Sequence, residues 1–591
     1  MTDVSTDVST LSRSISHVSK SSSTHLLNQR IRDRNGFRGT IRYVGTVCTS
    51  IKKPTFIWYG IEWDEMTRGK HDGSVISPVT KERIRYFQCE TSSGGSFVKP
   101  KKIIMPTSFL NEIRQRYEEE EEGSTSKKTN SIRRIAAEFD GEEGRQFEVE
   151  LVGVDKILKR QRLDVLKIAA IDGSNLGYAG IDDEDEDVLG RLCPEIREIH
   201  AQETLLGDWN EVARIVRGLP KLTTLNVSKN PLGRVPTGDR TLPFERLKVL
   251  VLNQTGTKWN DALALMKGAP NVEELHLCGN EIERLDTTDE ERTTRFQKLR
   301  ALDLSENAIR WKDVRDFAQD LPALVHLVLN NTAVASVTPV ENTKPTFREL
   351  RSLSICGGNI VSWTSVDALD TFPSLLALKC QRHPLLRSLG PRQQRQHLIA
   401  RVASLRHLNS SDVRRRERND AEKIYIKSVL CEAIARERAA SKTAPNEASS
   451  TDDLVRLLPS EKAREELARA HPRLGDLLKT HGIPASLRGN GADGSKFRGM
   501  VSLILKSMAT VSIAGEPRKQ RVPVQMKVGD LKKLCGRFFN VRPDRQVLKY
   551  READDFAVPT TLNDDESSLA YYGIADGGTV FVHDDGDERK V

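Results

Sequence analysis

Gly69-Lys70-His71-Asp72-Gly73 sets an ammonium, an imidazole and a carboxylate in succession between two glycines. Such a loop suits the capture of an anionic group. The cation attracts it, and the glycines allow turns and close backbone approach. Four aromatic residues stand nearby, Trp58, Trp63, Phe87 and Phe97, more than so short a segment needs for its own core. Lys99 follows Phe97 closely and adds a second cation. A peptide that ends in an aromatic residue with a free carboxylate, preceded by glutamates, fits this combination. Its ring would enter the aromatic pocket, Lys70 would face its carboxylates, and loop N–H groups would cap its terminus. The expected site is therefore Trp58, Trp63, Gly69, Lys70, His71, Asp72, Gly73, Phe87, Phe97 and Lys99, and its chemistry is binding.

The elements that position these residues are short. Across residues 36–100, β-prone runs alternate with glycine turns, the pattern of a small antiparallel barrel or sandwich. Alternation puts Thr40, Arg42 and Val44 on one face of a strand and Ile41, Tyr43 and Gly45 on the other. With Trp58-Tyr59-Gly60-Ile61-Glu62-Trp63-Asp64, Tyr86-Phe87-Gln88-Cys89 and Gly94-Gly95-Ser96-Phe97-Val98-Lys99-Pro100, the block resembles a CAP-Gly domain. That family reads acidic C-terminal tails, chiefly the tail of α-tubulin. Its loop usually reads Gly-Lys-Asn-Asp-Gly; here His71 replaces the asparagine, bringing a group that titrates near neutral pH.

The middle of the chain repeats Leu-x-x-Leu-x-Leu-x-x-Asn with a period of roughly 25 residues, the range of leucine-rich repeats. The frame is clear at Leu299, Leu222 and Val272, and looser at Leu166, Ile196, Leu247, Leu324, Leu350 and Leu375. Asparagine at the ninth position is expected to bond backbone at the turn off each strand. Thr255, Thr332 and Gly358 interrupt that ladder. Stacked repeats present a concave parallel sheet, with Asn226, Val251, Glu274, His276, Asp303, His326, Ser354 and Lys379 as candidate surface residues. Residues 404–409 and a basic helix over 412–425 resemble the C-terminal cap such stacks need.

Beyond a linker near residues 441–453, Ser460 is placed to cap a helix over 461–470. The last segment reads strand, hairpin, a helix opened at Gly529-Asp530, then further strands, the order of a ubiquitin-like fold. It ends without Gly-Gly, which points to a built-in interaction domain.

Composition narrows the function classes. A chain of 591 residues holds several domains. Its net charge of +8 is mild and does not imply nucleic acid. No apolar run is long enough to cross a membrane. The 8 cysteines are scattered, without a Cys-x-x-Cys pair, as expected of reduced cytosolic thiols with no metal or redox couple. Residues 489–496 are a poor P-loop, and no nucleophile–base set is recognisable, so neither cofactor nor enzyme activity is expected. Arg414-Arg415-Arg416-Glu417-Arg418 reads as the solvated face of a capping helix.

The expected fold class is multidomain α/β. Its bounds are a disordered Ser/Thr-rich tail (1–28), an all-β CAP-Gly barrel (29–108), a charged linker (109–160), a leucine-rich-repeat solenoid with its cap (161–430), a helical or disordered linker (431–498) and a ubiquitin-like β-grasp (499–585). That order resembles the tubulin-specific chaperone E family, also called tubulin-folding cofactor E. The resemblance implies a cytoplasmic, cytoskeleton-associated chaperone that binds α-tubulin and the α/β-tubulin dimer. Cofactors B, C and D would be its partners, with proteasome or ubiquitin-pathway proteins at the ubiquitin-like domain. A microtubule-binding adaptor and a ubiquitin-linked scaffold are the competing classes.

Overall fold

A computed structural model describes residues 26–47, 56–118, 134–136, 148–150, 162–180, 187–236, 242–288, 295–339, 347–440, 453–487 and 500–584, apart from 79, 319–320, 485–486, 509–515, 552–558, 570, 571, 573 and 575. Most of the expected N-terminal tail (1–28) and of the charged linker (109–160) lies outside the described residues, as do 441–452, 485–486 and 488–498 of the linker expected over 431–498. The chain divides into two compact units, Met1–Tyr425 with Glu466–Leu474, and Ile426–Glu465 with Gly475–Val591.

The first unit opens with a five-stranded antiparallel sheet whose centre is Trp58–Trp63 beside Arg38–Gly45. Ile31, Ile41, Ile61, Trp63 and Val98 form its core. The Arg38–Gly45 strand carries a register shift between Ile41 and Tyr43. A bulge adds one residue and reverses the faces beyond it. Ile41 and Val44 therefore both serve the core, and Tyr43 packs against Tyr86 and Phe97 instead. Simple alternation over this strand is corrected accordingly.

The segment expected to begin a charged linker at residue 109 forms the helix Phe109–Tyr117, capped by the Ser108 hydroxyl accepting from Asn111 N–H. Phe109 and Ile113 are 0% exposed and belong to the core of the repeat array. Thr107–Ser108 pairs in parallel with Leu176–Tyr178, and the Tyr117 hydroxyl accepts from Ala170 N–H at 3.0 Å. Arg32 donates to Gly173 O at 2.8 Å. The barrel and its following helix are thus built onto the first repeats, covering the apolar end that a stack leaves open.

Ten strands, from Ile168–Ala170 to His407–Leu408, run parallel in one sheet, closed by antiparallel Ser411–Asp412. The first nine each follow one of the leucine frames read in the sequence, with the central apolar residue buried, and the tenth stands in the cap read over 404–409. Just after the strands, Glu203, Lys229, Gln254, Gly279, Glu306, Asn331, Gly357 and Arg382 all adopt positive φ, which marks the repeat in the backbone itself. The asparagine ladder is present: Asn230 accepts from Thr204 N–H at 2.8 Å and donates to Ala201 O at 2.7 Å. Thr255 and Thr332 substitute with hydroxyls that donate to Leu252 O and Leu329 O, both at 2.9 Å. Where Gly358 offers no side chain, buried His383 in the next repeat contacts Gly358 O through Nδ1 at 3.1 Å.

A longer period lies over the short one. Trp209, Trp259, Trp311 and Trp363 each begin a helix, and these helices occur in every second repeat. At the far end Arg418, in the first turns of the helix Arg415–Ala440, donates to Ile399 O at 3.1 Å and Val402 O at 3.3 Å. Arg401, 3% exposed, reaches both Asp367 oxygens at 2.7 Å and lies 4.6 Å from the Trp363 ring centroid.

Ser460 caps the helix Glu461–Ala470 by accepting from Ala463 N–H. The sheet beyond pairs Met500–Ser507 antiparallel with Arg518–Pro523 and parallel with Thr579–Asp584. Val528–Phe539 packs its Val528, Leu531 and Cys535 onto that sheet's core. The residue at its N-cap is Lys527, so Gly529 and Asp530 sit inside the first turn and do not precede it. Among the described residues no helix is long and apolar enough to cross a membrane.

Candidate functional site

The Gly69–Gly73 loop is pinned to the strand Gly95–Val98. Gly95 O accepts from Lys70 N–H at 2.7 Å and His71 N–H at 3.1 Å, and Gly95 N–H donates to His71 O at 2.7 Å. Glycine is needed at both ends of the loop for different reasons. Gly69 has ordinary dihedrals, but a Cβ there would lie 1.9 Å from Ser93 O. Gly73 has φ +90°, and its Cβ would lie 2.0 Å from Phe87 O. Both requirements follow from how closely the loop is laid against the barrel.

Beside the loop lies a patch of aromatic rings. Tyr43, Tyr86, Phe87 and Phe97 meet edge to face, with centroid separations of 5.2 to 6.2 Å. His71 joins them, 4.9 Å from Phe97 at 30°. Gly60 makes room for this cluster, since a Cβ there would meet the Phe87 ring at 2.4 Å. Phe87 is buried and Phe97 half-buried, so the first supports the patch and the second presents it.

Trp58 shares the strand face of Gly60. Lys99 Nζ lies over its ring at 5.6 Å and over exposed Phe56 at 5.3 Å. Trp63 does not join them. It stands five positions after Trp58 on one strand, an odd offset that turns it to the opposite face. It is 3% exposed in the core, with the Arg68 guanidinium 4.5 Å from its centroid. The expected surface role of Trp63 is therefore corrected to a core one.

Lys70 is exposed and makes no ion pair among the described residues. Asp72 is committed inward. It accepts from the Ser74 hydroxyl and backbone, and from Arg83 at 2.9 Å and Arg85 at 2.8 Å. The Ser74 hydroxyl, then Arg83, hold its carboxyl well below the usual carboxylate range. The N–H groups of Gly73 and Ser74 are taken by His71 Nδ1 and Asp72. With those of Lys70 and His71 spent on Gly95, four loop N–H groups are not open to a ligand. Capping of a peptide terminus by these N–H groups is accordingly withdrawn; side-chain donors remain.

Because His71 Nδ1 accepts from Gly73 N–H, the neutral ring carries its proton on Nε2. Burial lowers its pKa below the usual 6.5, Lys70 adds to that shift, and Asp72 opposes it. The unfolded chain then takes up a proton at higher pH than the folded one. Stability from neutral His71 is full above about pH 6.5 and is lost as pH falls toward the folded value. Replacing it by Asn should remove this part of the decline, which denaturant titrations at about pH 7.5 and 5.5 would show. An identical slope in the variant would place the titrating group elsewhere.

Residues 27–103 match the CAP-Gly domain family and residues 500–588 the ubiquitin-like domain family. The fold and the loop thus define a protein with a CAP-Gly domain, a repeat array with a parallel sheet and a ubiquitin-like domain. The likeness to curated proteins runs end to end. Tubulin-folding cofactor E of Arabidopsis thaliana is 29% identical over 580 residues, covering 96% of this chain and 99% of that one. Tubulin-specific chaperone E of Homo sapiens is 29% identical across 93% of this chain and 97% of its own length. The Bos taurus protein of that name is 29% identical across 96% and 100%. The resemblance to the tubulin-specific chaperone E family therefore holds over nearly the whole chain.

Proposed function

We propose that this chain is a non-catalytic tubulin-folding chaperone that binds α-tubulin and engages its acidic C-terminal tail at the Lys70 loop. It would act with cofactors B, C and D in assembling and dissociating the α/β-tubulin dimer. The observation that carries the reading is an exposed Lys70, with no ion pair among the described residues, beside an aromatic patch, within a chain similar along its length to curated tubulin chaperones. A tail with a terminal aromatic would lay its ring on Phe97 and Tyr86 and its carboxylates toward Lys70. Arg83 and Arg85, on an exposed strand, outnumber the one carboxylate they bind and leave that side cationic. His71 Nε2–H supplies a neutral donor. Trp58 and Lys99 would extend the contact, and Gly69, Gly73 and Phe87 would shape it.

Separation of a dimer needs no covalent step. It needs tighter binding to the free subunit than to the paired one, and the shift equals that difference in free energy. Lys70→Ala should weaken a fluorescent α-tubulin tail peptide by about 5- to 10-fold and flatten its salt dependence, since one exposed charge contact is removed. Unchanged affinity and unchanged salt response would place the tail elsewhere. A cytoplasmic, cytoskeleton-associated location follows from this client.

A further inference from the structure

The residue immediately before each short strand of the repeat sheet forms a column across the strands. Lys167 precedes the first strand, and from Glu198–His200 onward every second strand is preceded by a cation: Arg197, Lys248, Arg300, Arg351 and Arg406. The strands between carry Thr223, Glu273, Val325 and Leu376. The alternation keeps the two-repeat period of the tryptophan-started helices, so it is built into the array's larger unit. Lys248 is paired with Glu273 at 3.0 Å. Arg300, Arg351 and Arg406 are exposed and make no ion pair among the described residues.

In this half the first strand positions beside the column are Ala301, His326, Ser352, Ala377 and His407, three of them small. At the parallel-strand positions of this half, Asp303 is the one carboxylate, and it accepts from Ser305 N–H and hydroxyl; the closing antiparallel strand adds Asp412, 2.8 Å from His407 Nδ1. Neighbouring strands lie about 4.8 Å apart, so successive arginines are spaced by about 9.6 Å across the strands. Seven residues of α-helix advance about 10.5 Å. Carboxylates two turns apart on one helix face would meet Arg300, Arg351 and Arg406 in turn, with Val325 and Leu376 against the apolar residues between.

We propose that Arg300, Arg351 and Arg406 form a docking track for an acidic helix on the folded body of the client, laid across the strands. This rests on the tubulin-client reading above and assigns the contact made apart from the tail. Charge complementarity selects an acidic occupant, and the column's spacing selects a helical one.

The test uses the full chain with two probes: α/β-tubulin stripped of its C-terminal tails, and an isolated α-tubulin tail peptide. R300E/R351E/R406E should bind stripped tubulin at least tenfold more weakly, lose much of the salt dependence, and bind the tail peptide as before. Lys70→Ala should do the converse. Reversal of Lys267 and Lys312, exposed on helices and away from the sheet column, should change neither. The proposal is overturned if the triple variant holds stripped tubulin like the parent, or if the parent does not bind it. It is equally overturned if the helix-face reversal costs as much, or if the triple variant loses the tail peptide, which would make the column part of an extended tail site. Tail binding that survives while the triple variant has no effect rejects the track alone. Loss of tail-peptide binding by the parent rejects the client reading itself.

Discussion

Phe109→Ala should lower the stability of the repeat array by about 3–5 kcal/mol, the usual cost of removing a fully buried phenylalanine. Its ring is 0% exposed in the array's core although it stands directly after the barrel in sequence. Repeats are held by their neighbours, so a defect at the terminal cap lets the first units fray while the distant ones remain. The expected signature is a lower denaturant midpoint, with early loss of amide protection around Ile168–Ala170 and Glu198–His200. A loss under about 1 kcal/mol would mean the helix rides outside the core and that residues 109–117 are linker after all.

Gly73→Ala should abolish most binding at the loop, by about 10- to 100-fold, because two penalties coincide. The φ of +90° is strained for any side chain, and the new Cβ would stand 2.0 Å from Phe87 O. Relief requires the loop to lift from Phe87, which moves Lys70 and His71 away from the aromatic patch. Gly36→Ala is the control. Its φ is +92°, yet nothing lies within 4 Å of the Cβ position. It should cost stability through strain and leave tail-peptide affinity unchanged. Equal binding losses in both variants would show that strain in the barrel, and not the loop's placement, governs the effect.

The leucine frames were legible because a stack repeats its core contacts, so each strand leaves the same mark in the sequence. The asparagine ladder was legible for the same reason, down to its threonine interruptions. His383 was missed because imidazole is not expected where an amide or hydroxyl usually reaches the turn. The two-repeat period escaped a reading made one unit at a time, although the recurring Trp209, Trp259, Trp311 and Trp363 were there to be counted.

At the loop and its aromatic patch, His71, Phe87 and Phe97 meet next to Lys70, and Tyr43, Tyr86, Arg83 and Arg85 were overlooked. Tyr43 was hidden by the bulge, which no residue type announces. Trp63 could have been excluded from its odd spacing to Trp58. The acidic run after Tyr117 drew attention away from Phe109, Ile113 and Tyr117, whose i, i+4 spacing is that of a buried helix face.

The most direct test of the central claim is size-exclusion chromatography of the full chain mixed with tubulin dimer, with and without the C-terminal tails. A complex that retains α- but not β-tubulin, and that weakens when the tails are removed, is the predicted result. A stable complex with the intact dimer, indifferent to the tails, would contradict both the chaperone reading and the assignment of the Lys70 loop.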